Sequence, residues 1–93
     1  MSEQDKLNIL KILKARLNRL DDLLDEYLSA RIDAAIEELE HYGISLVSGD
    51  MRDLMLVVDL TAFEYSSRDK DGSQPDWLRL RIRERFLSER VKA

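Results

Sequence analysis

Apolar residues recur along the first half of the chain in steps of three and four. Leu7, Leu10, Leu13, Leu17 and Leu20, with Ile9 beside them, outline an amphipathic helix over about 5–17. Its opposite face carries Lys6, Lys11, Lys14, Arg16 and Arg19. A second stripe, from Leu24, Tyr27, Leu28 and Ile32 through Ala35, Ile36, Leu39 and Tyr42, predicts a helix over 22–42. Asn18 and Asp21 are suitable N-cap residues, but no Gly or Pro forces a break, so one continuous helix stays open as an alternative. Gly43 stands where a left-handed residue closes a helix. Asp50 then caps a third segment over 51–66, apolar nearly all the way round through Met51, Leu54, Met55, Val57, Val58, Leu60, Ala62, Phe63 and Tyr65. Such a helix belongs at the centre of a bundle. Val57 and Val58 also suit a buried strand, but the run is too long for one without a turn signal.

A charged hinge, Ser66 to Gln74, separates this segment from the last. Pro75 and Asp76 read as a helix start, with proline at the first helical position and an acid in the first turn. Leu78, Leu80 and Ile82 alternate with Arg79, Arg81 and Arg83, which suits a half-buried strand, whereas Leu78, Ile82 and Phe86 with Trp77 and Leu87 fit a helix. Leu and Arg favour helix, and no partner strand is evident, so a helix over 75–90 is expected. It then has two apolar sides, one of Leu78, Ile82 and Phe86, the other of Trp77, Leu80, Leu87 and Val91. One packs the core and the other is free for a partner. The expected fold is all-α, a small bundle of four helices in a single domain spanning 1–93.

Composition agrees with an ordered helical domain: 44% of the 93 residues are apolar and 37% charged, with one Pro and three Gly. A domain this small exposes much of its surface, and self-association is a natural way to bury more. There is no Cys, hence no disulfide framework or thiolate chemistry, which points to assembly inside a cell. The polar, acidic start argues against a secretory leader, and no apolar run approaches the roughly 18 residues that a membrane span needs. A soluble protein without a membrane role is expected. Net charge is −4, yet Asp76 to Ala93 has six basic and three acidic residues, a local +3 that leaves −7 for the rest. A chain polarised in this way meets other molecules by opposite charge.

Candidate interface residues follow from that polarity. Asp25, Glu26, Asp33, Glu37 and Glu40 belong to an acidic stretch, Asp21 to Glu40, with eight carboxylates and one arginine. Arg79, Arg81, Arg83 and Arg85 are the basic counterpart, expected to pair with that acidic face within the chain or on a neighbouring copy. Asp59 is a candidate buried ion pair, because a carboxylate in a nearly all-apolar helix needs an arginine, with Arg81 or Arg83 available. The single histidine, His41, could share a face with Glu37, but a solvent-facing histidine at a helix C-terminus is the expected reading, and no metal site is assigned. One Glu-x-x-His run occurs, Glu38 to His41, but a bundle metal site takes that pattern from each of two helices, and the chain has no second histidine. No Ser/His/Asp set, glycine-rich phosphate loop or zinc-ligand spacing occurs, so neither an enzyme nor a cofactor is expected. The alternative is a small nucleic-acid-binding or regulatory module using the C-terminal arginines.

Ile32-Asp33-Ala34-Ala35-Ile36-Glu37-Glu38-Leu39, Tyr42-Gly43-Ile44, Asp50, Phe63-Glu64-Tyr65-Ser66-Ser67-Arg68 and Gln74-Pro75-Asp76-Trp77-Leu78-Arg79-Leu80-Arg81-Ile82 follow one another in an order that resembles the head-tail connector, or head-completion, proteins of tailed phages and prophages. The resemblance covers residues 21–87, with Tyr65, Arg68, Pro75, Leu78, Arg79 and Ile82 at matching positions, and leaves the lysine-rich first segment outside it. Its motifs are positional rather than catalytic. It implies a helical bundle that forms a ring, typically of about a dozen copies, beneath the portal protein of a filled capsid. The ring extends the DNA channel, lets DNA pass without specific binding and docks a downstream tail or stopper protein. The implied location is the virion, after synthesis in the bacterial cytoplasm. In that setting Arg68, Trp77, Leu80 and Leu87 join the charged residues as candidate interface positions.

Overall fold

The computed structural model describes residues 1–67 and 73–92, the last two by backbone alone. Four helices follow in order: α1 (Glu3–Arg16), α2 (Asp25–His41), α3 (Met51–Ser66) and α4 (Asp76–Lys92). The fold is an all-α four-helix bundle, with no strand among the described residues. The hinge before α4 is described only at its ends, and Arg68 lies outside the described residues.

Helix α1 begins earlier than its apolar stripe suggests. The Ser2 hydroxyl accepts the Asp5 amide at 3.1 Å and the Asp5 carboxylate accepts the Ser2 amide at 3.1 Å, a reciprocal capping box. The helix stops because Asn18 takes φ +56. The Asn18 amide donates to the Ala15 carbonyl and the Arg19 amide to that of Lys14, the two bonds of a Schellman closure. Asn18 therefore ends α1 instead of capping α2, and the two helices are separate. Asp21 is spent in the connection, where its Oδ1 accepts the Leu23 amide at 3.1 Å, and α2 starts only at Asp25. The same closure ends α2: Gly43, at φ +94, and Ile44 donate to Glu40 and Leu39, and buried Ile44 and Leu39 lie on either side of it. Asp50 caps α3 by accepting the amides of Arg52 and Asp53.

Helix α3 is the centre, packed by each of the other three. Leu54, Leu56, Val57, Val58, Leu60 and Ala62 are buried on it, as the all-round apolar run requires. From α1 the core takes Ile9 and Leu13, while Leu7 is exposed, so the buried line is rotated from the leucine stripe, and Leu20 lies beyond the helix and is exposed. Asp5 is on the same 5/9/13 side, buried and bonded to Ser48 and Gly49 of the α2–α3 connection. From α2 come Leu28, Ile32, Ala35, Ile36 and Leu39, and from α4 Leu78 and Ile82 with half-buried Phe86. Tyr27, Tyr42 and Met51, apolar positions of the expected stripes, stay largely exposed. Pro75 sits just before the first helical residue, its carbonyl accepting the amides of Leu78 and Arg79.

Two glycines distinguish backbone strain from crowding. Gly49 has φ +80 and open space where a Cβ would project, whereas a Cβ on Gly43 would lie 3.2 Å from the Phe86 ring. Gly49→Ala should cost about 1–2 kcal/mol, the penalty of a left-handed L-residue. Gly43→Ala should cost more, because Phe86 must also move and loosen α4. Urea midpoints check the ranking; equal losses would contradict it.

Candidate interface: the arginine-latched fourth helix

Buried carboxylates on α3 receive the arginines of α4. Asp59 is 4% exposed, and each of its oxygens takes one guanidinium: Arg16 of α1 at Oδ1 and Arg81 of α4 at Oδ2. Asp53, 2% exposed, is met by Arg85 as a fork, Nε to Oδ1 at 2.8 Å and Nη2 to Oδ2 at 3.2 Å. The Val47 amide completes that carboxylate at 2.8 Å. Arg85 also donates to the Ser45 carbonyl at 2.7 Å and to Glu89 at 2.9 Å, and Glu89 accepts the Ser45 amide at 3.1 Å. The bond to Asp53, ahead of that to Glu89, holds the Arg85 guanidinium well above its ordinary pKa. Its bonds to Arg85 and Ser45 hold Glu89 below the usual glutamate value.

Arg81 and Arg85 are one helical turn apart, and their partners run from Asp59 back to Asp53, which sets α4 antiparallel to α3 in a single register. Burying such pairs costs desolvation that offsets much of their attraction, so what they supply is chiefly orientation. Within the chain Arg81 and Arg85 turn to α3 rather than to the acidic face of α2, whose Asp33 and Asp25 are met by Lys6 and Lys14 of α1, each at 2.9 Å; Lys14 also reaches Asp22 of the α1–α2 connection at 3.0 Å. Arg19 reaches the Tyr65 hydroxyl at 3.4 Å, and Tyr65 stacks at a tilt on Tyr27.

Among the described residues the outer side of α4 has no such buried partners. Trp77, Leu80 and Leu87 are 46%, 57% and 46% exposed. Arg79 pairs with Asp76 one turn back, Arg83 is exposed with no ion pair among the described residues, and Arg90 lies over the Phe86 ring at 5.6 Å. On α2, Glu26, Glu37 and Glu40 are exposed, as is His41 in the last turn. Among the described residues no three of His, Asp and Glu converge as metal ligands, and no helix is long and apolar enough to cross a membrane. No family model matches the chain, and no curated protein or solved structure is similar to it.

Arg16 and Arg81 are half-exposed and can rehydrate when freed, but Asp59 cannot. Replacing either arginine with Met should therefore cost little while the other remains. Replacing both leaves the carboxylate uncompensated and should cost about 3–5 kcal/mol. Strict additivity in urea unfolding would contradict this arrangement. A second carboxylate gives a pH test. Burial, and then the neighbouring Glu38, raises Glu64 above its ordinary 4.5, with Arg31 opposing. The folded chain then holds the Glu64 proton to higher pH than the unfolded chain. That contribution is present below 4.5 and lost as pH rises through the folded value. Glu64→Gln should raise Tm at neutral pH and change it little near pH 4; the reverse trend would contradict the assignment.

Proposed function

We propose that the chain is a structural adaptor of a tailed-phage or prophage head-tail junction, which assembles with copies of itself against the portal and docks the next tail component. The observation that carries this reading is α4. Leu78, Arg79 and Ile82, which with Pro75 just before them carry the sequence resemblance, belong to a helix latched to α3 through Asp53 and Asp59, while Trp77, Leu80 and Leu87 face solvent. Three large apolar side chains exposed on one short helix suit a surface that meets a protein partner. Because the helix is held before the partner arrives, little conformational entropy is lost on docking.

Charge supports an adaptor over a DNA-binding module. The net charge of −4 disfavours tight hold on DNA passing through a ring. Of the four arginines that a nucleic-acid module would use, Arg81 and Arg85 are engaged by buried aspartates, which leaves Arg79 and Arg83. The virion is the corresponding location, reached after synthesis in the bacterial cytoplasm.

Co-expression with the portal protein encoded in the same genome tests the proposal. The chain should copurify with the portal as a ring of many copies, visible by negative-stain microscopy, and should not retard duplex DNA at low salt. A chain that ignores the portal, or that shifts DNA at micromolar concentration, would overturn it.

A further inference from the structure

Two faces that are exposed among the described residues complement each other in charge. On α4, Leu80 and Leu87 form the outermost ridge, with Arg83 and Arg90 along one side and Glu84 along the other, all exposed, so the face is cationic on balance. On α2, Ala30 and Ala34 lie outermost between Glu26, Asp33, Glu37 and Glu40, all exposed as well. The first face is bulky and cationic; the second is flat and anionic. Their charges also share a spacing: Arg83 and Arg90 are seven residues apart, as are Glu26, Asp33 and Glu40. Seven residues correspond to about 10.5 Å along a helix, so two cations on one face can meet two carboxylates on the other at once, with exposed Asp33 shared between an arginine and Lys6 of its own chain.

We infer that the occupant of the α4 outer face is a second copy of this chain, seated by its α2 outer face. The contact buries Leu80 and Leu87 over Ala30 and Ala34 and sets Arg83 and Arg90 against the acids of the neighbour. Neither face can satisfy the other within one chain, because α4 turns its opposite side to α3 and α2 likewise packs its opposite side into the core. An α2–α2 pairing would oppose carboxylates, and an α4–α4 pairing would offer Arg83 and Arg90 one carboxylate, Glu84, where the α2 face offers several. The contact is therefore heterologous, leaving one face of each kind free at the ends of any open assembly. This rests on the self-assembly part of the adaptor reading and names its interface.

The experiment uses two half-blocked full-length chains, each changed only at an exposed position. Leu80→Asp disables the α4 face, and Ala30→Arg disables the α2 face. Circular dichroism and an unchanged Tm confirm that both fold. By sedimentation equilibrium up to about 1 mM, the wild type should form species beyond the dimer, and each variant alone should remain monomeric. Mixed in equal amounts, the variants should form a dimer that grows no further, since each supplies one intact face. Added salt should weaken that dimer. Self-association of Ala30→Arg alone, a mixture that stays monomeric, or a wild type monomeric throughout would each overturn the inference. Portal capture without the mixed dimer would reject this contact and leave the adaptor reading standing, and the mixed dimer without portal capture would do the opposite.

Discussion

A carboxylate placed among apolar side chains has to be supplied with donors, and α3 carries two, Asp53 and Asp59, at 2% and 4% exposure. The rest of the architecture follows from where those donors come from. Arg16 arrives from α1, Arg81 and Arg85 from α4, and the Val47 amide from the α2–α3 connection. Central α3 is thus an apolar column with two anionic sockets, and its neighbours are oriented by what they insert. Helix α2 buries Leu28, Ile32, Ala35, Ile36 and Leu39, and α1 adds half-buried Leu10 and Ile12 to Ile9 and Leu13. Among its described side chains α4 buries only Leu78 and Ile82, each contributing about 1.5–3 kcal/mol, with Phe86 half-buried, and a helix in a protein takes most of its stability from such packing. Its arginines are what give it one register.

The α2–α3 connection ties these elements together. Ser48 and Gly49 donate to Asp5 of α1, Val47 donates to Asp53 of α3, and Ser45 exchanges bonds with Arg85 and Glu89 of α4. The bond to Ser48, then that to the Ser2 amide, holds Asp5 below the usual aspartate pKa. A short loop therefore links the start of α1, the socket at Asp53 and the middle of α4. That linkage spends the inner side of α4 on the fold and leaves Trp77, Leu80 and Leu87 of its outer side exposed.

Periodicity and capping made much of this legible. The all-round apolar run from Met51 placed α3 at the centre, and Gly43 marked the end of α2 because only an easy left-handed residue closes a helix there. The two-sided pattern of α4 appeared in the spacing of Leu78, Ile82 and Phe86 against Trp77, Leu80 and Leu87. Asp59 announced a need for arginine by its surroundings, but nothing local indicated that Arg16 would supply half of the answer from 43 residues away. Asp53 was hidden because an acid in a first turn already has a local explanation in the helix dipole. Asp5 and Asn18 were hidden likewise, one as a polar residue at a helix start, the other as a residue equally suited to beginning a helix or ending one. The direction in which the arginines turn depends on how α4 is rotated against α3, which the pattern along one helix does not record.

Amide hydrogen exchange of the free chain tests most directly whether α4 is held in place before any partner binds. The backbone amides of α4 from Leu80 to Glu89 should be protected and should lose protection together with those of α3, as parts of one cooperative unit. Exchange of the α4 amides at free-peptide rates while α3 stays protected would contradict the account.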